Sequence, residues 1–278
     1  MSPRALWLLL GLILIGFLYL TARSWITPEL PPAAVASHSL PQGGCPPNLA
    51  GTAGRHTDLH TPGGLGFTVI APLNYQPDRR YGLLMVFPPA GFSKDMSEHY
   101  YQLTQLGNQH GYVVAYSSAI PLSKRALALQ SEVMPQIMSQ WCIDADRVVF
   151  TGHSDGGSLT TGLTLRPGQS SLMPSRVVIS AAGITEDDLQ QEICPAPTHV
   201  TVLHNPEDQL FPGYGEGTVR WWGRCMQCSE TLQTEVSGCQ VRQCAQGKLL
   251  RHCVTTEPHT RWPAVTSHIW DWLDTKAP

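Results

Sequence analysis

The stretch "RVVFTGHSDGGSLTTGL", residues 147–163, places Ser154 between two glycines, after a run of β-formers and before a segment with helical spacing. A Gly-x-Ser-x-Gly pattern is common by chance, so the pattern alone does not separate a nucleophile from an N-capping turn serine. A nucleophile of this type needs a strand, a very tight turn and a helix in that order. Here "RVVF" predicts the strand, Gly152 and Gly156 leave room for the turn, and "GGSLTTGLTLR" predicts a helix.

Short β-rich runs alternate with longer segments of helical spacing along the rest of the chain. The runs are almost continuously apolar, which is typical of strands buried on both faces. They read "GFTVIAPL", "YGLLMVFPPA", "GYVVAYSSA", "DRVVFTG", "SRVVISAAG", "HVTVLHN" and "KLLRHCVTT". Between them, "SEHYYQLTQLGNQH" and "SKRALALQSEVMPQIMSQWC" predict helices. The alternation predicts an α/β domain with a mostly parallel central sheet, helices on both faces, and functional loops at the carboxyl ends of the strands.

The length of 278 residues suits one large domain, which we place at residues 48–278. Residues 25–47 are rich in proline and small residues and predict an extended linker. The net charge is -3, and the charged residues are spread along the chain without the basic runs that bind nucleic acids. We therefore expect no nucleic-acid partner, and the sequence indicates no cofactor, no metal and no obligate protein partner.

Residues 5–22 carry no charge and lie between Arg4 and Arg23, which is close to the length that spans a bilayer. The segment 1–24 therefore predicts a transmembrane helix that anchors the protein, with a cleaved signal segment and secretion as the alternative. The charge bias around it places the domain on the periplasmic or extracellular side.

Eight cysteines are present, and five of them fall within residues 225–253. An even number in an exported chain favours disulfides. Zinc ligation, starting from Cys225 and Cys228, and free thiols are the alternatives, although the second pair, Cys239 and Cys244, has the wrong spacing for a simple zinc ribbon. The sequence does not determine the pairing.

A serine hydroxyl becomes a useful nucleophile when an imidazole takes its proton and a carboxylate orients that imidazole. In the strand-turn-helix architecture the acid and the base follow the serine in that order. Asp208, in "HVTVLHNPEDQLFPG", lies where a strand-end carboxylate belongs, and Glu207 is the alternative. Asp187 and Asp188 instead suit the first turn of a helix.

His259, in "EPHTRWP", lies in a loop after the last predicted strand and is the candidate base. His252 falls inside a strand and His268 in a closing helix, so both are predicted to be structural. His153 and His204 flank the predicted functional loops and are expected to line or brace the site.

Four segments carry a further signal: "IDADRVVFTGHSDGG", "LHNPEDQLFP", "TVRWWGRCMQC" and "PHTRWP". Together they resemble a group of α/β-hydrolases, the polyhydroxybutyrate depolymerase, feruloyl esterase and acetylxylan esterase type, similar to carbohydrate esterase family 1. The resemblance spans residues 66–273. It implies the α/β-hydrolase fold and a Ser-His-Asp triad at Ser154, His259 and Asp208.

The chain departs from that family at the loop that helps to hold the oxyanion, where His-Gly-x-Gly is usual and Pro88-Pro89-Ala90-Gly91 stands here. Proline has no N–H to donate. The expected backbone donors are Asp155 and Ala90, with Gly91 as a substitute. Two smaller departures are an extra residue in the base loop and Asn-Pro in place of Gly-Thr in the acid loop.

The resemblance implies a serine carboxylic-ester hydrolase that works through an acyl-enzyme on polyhydroxyalkanoate-like, acetyl or feruloyl-type esters. Tyr214, Trp262 and His153 are candidate walls of the substrate pocket, although core packing explains such aromatic residues equally well. The alternative is a membrane-anchored binding or scaffold protein with weak or no turnover, which the Pro88-Pro89 pair favours. A peptidase would use the same triad, because fold alone does not separate esters from peptides.

Overall fold

A computed structural model describes residues 30–36, 40–166 and 173–274. Within these ranges no helix combines the length and the apolar character that crossing a membrane requires. The predicted anchor, residues 1–24, lies outside the described residues, as does the first part of the predicted linker.

The described chain forms one sheet of ten strands in the order β1-β2-β4-β3-β5-β6-β7-β10-β9-β8. The strands are β1 (Gly54–His60), β2 (Gly66–Ala71), β3 (Tyr81–Phe87), β4 (Tyr112–Ser117), β5 (Ile143–His153), β6 (Arg176–Ser180), β7 (His199–His204), β8 (Gln233–Thr234), β9 (Gln240–Gln243) and β10 (Leu249–Val254). The six central strands, from β4 to β10 in that order, pair in parallel. The strands at both edges pair antiparallel. The prediction of a mostly parallel sheet is confirmed.

Eight α-helices connect the strands in the described ranges. They are α1 (Lys94–Tyr101), α2 (Thr104–Gln109), α3 (Lys124–Ser131), α4 (Val133–Met138), α5 (Asp155–Leu165), α6 (Glu186–Gln190), α7 (Tyr214–Cys225) and α8 (Ile269–Asp274). Side chains of β3 alternate between two cores. Leu83 packs in the core that contains Leu159 of α5, and Leu84 packs in the core that contains Trp270 of α8. Helices therefore cover both faces, as predicted.

Each of the two long segments with helical spacing forms two short helices. Gln102 adopts a left-handed conformation with φ 53° and ends α1. Pro135 lies in the first turn of α4, and because proline has no N–H, it interrupts the continuous helix that the spacing predicts over α3 and α4.

The described part of the predicted linker packs against the domain. The N–H of Ala36 donates to the carbonyl of Gln109 at 2.9 Å, and Leu40 is buried. Cys45 forms a disulfide with Cys142. Packing therefore begins before the predicted start of the domain, because an apolar side chain and a covalent bond hold a segment whose composition resembles a free linker.

All eight cysteines are paired. The disulfides are Cys45–Cys142, Cys194–Cys225, Cys228–Cys244 and Cys239–Cys253. The zinc and free-thiol alternatives for these residues are thus wrong, since no thiolate is left to bind a metal. Four disulfides indicate that the chain folds in an oxidising compartment, outside the reducing cytosol.

Candidate functional site

Ser154 lies in the tight turn between β5 and α5, with φ 57° and ψ -121°. This backbone conformation is strained for a residue with a side chain and costs about 1–3 kcal/mol. The flanking glycines make the turn possible: a Cβ on Gly152 would lie 2.2 Å from the carbonyl oxygen of Gly156, and one on Gly156 would lie 2.3 Å from the carbonyl oxygen of Phe87. The predicted strand, turn and helix are all present.

Ser154, His259 and Asp208 form a hydrogen-bonded chain. Nε2 of His259 lies 2.9 Å from Oγ of Ser154, and Nδ1 of His259 lies 2.7 Å from Oδ2 of Asp208. Asp208 follows β7 and His259 follows β10, and these strands are parallel neighbours. Their loops therefore leave the same edge of the sheet as the turn after β5.

Asp208 is 2 % exposed and fully hydrogen-bonded. Its Oδ1 accepts the N–H groups of Leu210 at 2.8 Å and Phe211 at 3.1 Å. Burial raises the pKa of Asp208, but hydrogen bonds from His259 and from these two amides outweigh burial and bring the pKa below its usual value. Glu207, the alternative acid, is exposed, so Asp208 is the carboxylate that meets the imidazole.

The loop after β3 lies beside the serine turn, because Phe87 pairs with Gly152 in the sheet. The N–H of Phe92 donates to the carbonyl of Pro89 at 3.2 Å, and Gly91 has φ 75°. These features define a type II turn with Ala90 at its second position. Pro88 and Pro89 are buried, and Ala90 is exposed at the tip.

The amide of Asp155 opens α5 and has no partner within the helix, as expected for a first helical residue. This N–H group therefore lies directly after Ser154 in the chain. Burial raises the pKa of the Asp155 carboxyl, and the nearby His259 lowers it by less. The expected oxyanion donors, Asp155 and Ala90, therefore belong to two different elements, the start of α5 and the turn after β3.

Two buried histidines hold the loops that carry Asp208 and His259. Nε2 of His153 lies 2.6 Å from the carbonyl oxygen of His259, and Nε2 of His204 lies 2.7 Å from the carbonyl oxygen of Phe211. His153 is 3 % exposed and His204 is 2 % exposed. His153 is thus not a pocket wall, because both of its ring nitrogens are bonded inside the protein. The expectation that these residues brace the site fits their positions.

Tyr214 and Trp262 differ in their surroundings. Tyr214, the first residue of α7, stacks on Phe211 with ring centroids 5.4 Å apart. Trp262 packs edge-on against Tyr101 at 4.8 Å and joins the core on that face of the sheet. Phe211 contacts the His259 ring at 5.1 Å. Phe211 was not among the predicted site residues, although it lies in the same loop as Asp208 and its aromatic character is a usable signal.

The residues predicted to be structural take no part in the hydrogen-bonded chain of Ser154, His259 and Asp208. His252 is part of β10, and Nδ1 of His268 lies 3.2 Å from a carboxylate oxygen of Asp271. Asp188 forms a capping box with Thr185 at the start of α6, as the first-turn interpretation predicts. Across the described ranges, no three His, Cys, Asp or Glu residues are grouped in a way that could hold a metal ion.

Several solved structures share this fold. Acetyl xylan esterase from Aspergillus awamori matches with a TM-score of 0.60 and 15% identity over 80% of this chain and 99% of its own. Fluorophosphonate-binding serine hydrolase F of Staphylococcus aureus matches with a TM-score of 0.57 and 11% identity, covering 81% and 100%. The S-formylglutathione hydrolase of the same organism matches with a TM-score of 0.56 and 12% identity over 79% of this chain and 97% of its own. The chain therefore has the α/β-hydrolase fold.

No protein-family model matches the sequence, and no curated protein matches it.

Proposed function

We propose that the protein is a serine carboxylic-ester hydrolase that acts outside the cytoplasm. One observation carries the proposal: Ser154, His259 and Asp208 are joined by hydrogen bonds of 2.9 and 2.7 Å at the carboxyl edge of the sheet. A strained serine, a base within reach and a buried carboxylate behind it form the arrangement that activates a hydroxyl for acyl transfer.

In the proposed reaction, Oγ of Ser154 attacks the ester carbonyl while Nε2 of His259 accepts its proton. Asp208 accepts the Nδ1–H of His259, which fixes the tautomer and stabilises the imidazolium that forms. His259 then returns the proton to the departing alcohol, leaving an acyl-enzyme. Water attacks that ester with His259 again acting as the base, and the acid product leaves.

The amides of Asp155 and Ala90 are proposed to donate to the oxyanion in both steps. Each such donor contributes about 3 kcal/mol to transition-state stabilisation. Pro88 and Pro89 have no N–H, but the donor we assign belongs to Ala90, at the exposed tip of the turn. The proline pair therefore does not by itself favour the binding or scaffold alternative.

The proposed substrates are polyhydroxyalkanoate-like, acetyl or feruloyl-type esters. Fold similarity to an acetyl xylan esterase supports the acetyl class. Phe211 and Tyr214 form an aromatic wall beside His259, which suits an apolar or aromatic group of the substrate.

We further propose that residues 1–24 anchor the protein in a membrane, with residues 48–278 as the catalytic domain on the periplasmic or extracellular side. The uncharged stretch at 5–22 and the four disulfides support this placement. Secretion after signal cleavage is compatible with the same disulfides, and N-terminal sequencing of the mature protein distinguishes the two.

The full chain, expressed into an oxidising compartment, tests the activity. We expect a fluorophosphonate probe to label the wild type and Ser139→Ala, an exposed serine control, but not Ser154→Ala. The same three proteins are assayed on acetyl, feruloyl and hydroxybutyrate-type esters and on a matched amide. A wild type that neither labels nor hydrolyses any ester supports the scaffold alternative. Labelling that persists in Ser154→Ala places the nucleophile elsewhere, and faster amide cleavage indicates a peptidase.

A further inference from the structure

His153, the residue directly before Ser154, makes three polar contacts although it is buried. Its backbone N–H donates to the hydroxyl of Tyr101 at 2.7 Å. Its Nδ1 lies 2.9 Å from Oγ of Ser180, at the end of β6. Its Nε2 lies 2.6 Å from the carbonyl oxygen of His259. The ring therefore joins the strand of the serine to the end of a second strand and to the base loop.

The chemistry of these partners determines where the protons lie. A carbonyl oxygen only accepts, so Nε2 of His153 carries the hydrogen and donates it to His259. Nδ1 is then the acceptor for the hydroxyl hydrogen of Ser180. Burial lowers the pKa of His153 to about 4, and the ring is accordingly neutral at pH 7, as this pattern requires. The carbonyl of His259 thus fixes the tautomer, and Ser180 orients the ring by donating to Nδ1.

Tyr101 extends the network to the oxyanion loop. Its hydroxyl accepts from the His153 N–H and donates to the carbonyl oxygen of Phe87 at 2.9 Å. That carbonyl is the one against which Gly156 packs closely. One hydrogen-bonded path therefore links the ends of β3, β5 and β6 with the loop that carries His259.

We propose that His153 is a positioning residue, whose Nε2–H bond to the His259 carbonyl holds the base loop so that the imidazole stays in line with Ser154 Oγ. The inference rests on the proposed hydrolase function, because its effect is exerted through His259. The loop is also held by Asn205, whose side-chain N–H donates to the carbonyl of Glu257 at 3.1 Å. The bond from His153 differs in that it ties the base to the nucleophile's own strand.

A merely structural histidine and a positioning histidine make different predictions. Losing a structural one lowers stability and leaves the rate per folded molecule unchanged. Losing a positioning one shifts the imidazole relative to the serine, and a misplacement of about 1 Å costs roughly 100-fold in rate. The substrate would still bind, because His153 is buried, so kcat should fall while KM stays nearly constant.

The test compares four variants of the full chain in acyl-ester turnover, in fluorophosphonate labelling rate and in denaturant unfolding. His153→Phe removes both side-chain bonds and should lower kcat and the labelling rate roughly 10- to 100-fold with little change in KM. His153→Gln retains an N–H donor and should recover most of that loss. Ser180→Ala removes the hydroxyl that donates to Nδ1 and orients the ring, and it should lower the rate by several-fold. His199→Gln changes a buried histidine at the start of β7, the opposite edge of the sheet from the triad. It is the control and should keep the wild-type rate.

The outcomes separate this inference from the function it rests on. If the wild type does not react with the probe or with any ester, both fail. If the wild type reacts and a folded His153→Phe reacts equally fast, the positioning role alone is overturned. Should His153→Phe not fold, Ser180→Ala decides: a slower rate supports the role, and an unchanged rate overturns it.

Discussion

Asp208 and His259 are joined at 2.7 Å between Oδ2 and Nδ1, and the other carboxylate oxygen of Asp208 already accepts two backbone N–H groups. The carboxylate is therefore held in place before it meets the imidazole. Because its pKa lies below the usual value, it stays ionised and keeps His259 with its hydrogen on Nδ1. Nε2 then remains free to accept the serine proton.

We expect Asp208→Asn to lower kcat by about 10⁴ while KM changes little, because an amide N–H facing Nδ1 favours the tautomer with its hydrogen on Nε2. Steady-state kinetics on an activated acyl ester measure this. Glu207→Gln changes the adjacent, exposed carboxylate and should behave like the wild type. Equal losses in the two variants would contradict the assignment of the acid.

Ala90→Pro should remove one oxyanion donor without disturbing the loop. The second position of a type II turn favours proline, so the substitution deletes an N–H and keeps the backbone. We expect kcat to fall by about 10² to 10³ with unchanged unfolding midpoint. Ala90→Gly keeps the N–H and should stay close to the wild-type rate. A fully active, folded Ala90→Pro would mean that the second donor comes from elsewhere.

Adding one methyl group should have opposite effects at two helical glycines. A Cβ on Gly156 would lie 2.3 Å from the carbonyl oxygen of Phe87, whereas one on Gly223 would meet nothing closer than 3.6 Å. Gly156→Ala should lower the free energy of unfolding by about 1–3 kcal/mol or more through overpacking. Gly223→Ala should raise it by up to about 1 kcal/mol through helix propensity. Urea titrations of both variants show whether the free energy of unfolding falls or rises.

Stability should fall as the pH is lowered from about 6.5 to about 4. Burial lowers the pKa of His153 from 6.5 to about 4, so between these values the unfolded chain binds the proton and the folded chain does not. The contribution of neutral His153 to the free energy of unfolding is thus fully present above pH 6.5. Proton binding to the unfolded chain lowers the free energy of unfolding by roughly 3 kcal/mol by pH 4.

Burial also lowers the pKa of His199 to about 4. Its Nδ1 accepts the N–H of Leu249, which a protonated ring could not do. His199→Gln retains an acceptor without titrating, so it should show a shallower decline. Urea unfolding followed by tryptophan fluorescence at pH 4, 5, 6 and 7 measures both slopes. A flat profile in the wild type would contradict the buried, neutral histidines.

The disulfide between Cys45 and Cys142 should contribute more stability than the one between Cys228 and Cys244. The first encloses a sequence separation of 97 and the second one of 16. In the loop-entropy model the corresponding double Cys→Ala variants lose about 4–5 and about 3 kcal/mol, respectively. Chemical denaturation of the two variants tests the order. A reversed order would show that strain or residual structure dominates over loop length.

Local patterns predicted the central strands and the turn at Ser154, because each depends on neighbours in sequence. Chain order after Ser154 then led to the candidates Asp208 and His259. Continuous apolar runs identify buried parallel strands, and glycines on both sides of a serine identify a tight turn. The parallel sheet then brings the three loops to one edge. This much of the site follows from chain order and strand direction.

Contacts between distant residues had no such signal. Tyr101 reaches the backbone of His153 across 52 positions, and no periodicity indicates it. The edge strands β1, β8 and β9 were not among the predicted runs, since they are short or only partly buried. The cysteine pairing and the packing of Leu40 and its neighbours likewise depend on the folded arrangement, so composition alone suggested a free linker.

The four disulfides fall into two blocks of the chain, and no disulfide joins one block to the other. Every pair lies either within residues 45–142 or within residues 194–253, and Ser154 belongs to neither. A single peptide-bond cleavage between α5 and β6 would leave two fragments joined only by strand pairing and packed side chains. Two such fragments, expressed separately, should therefore reassemble into the molecule, with Ser154 on one and Asp208 and His259 on the other.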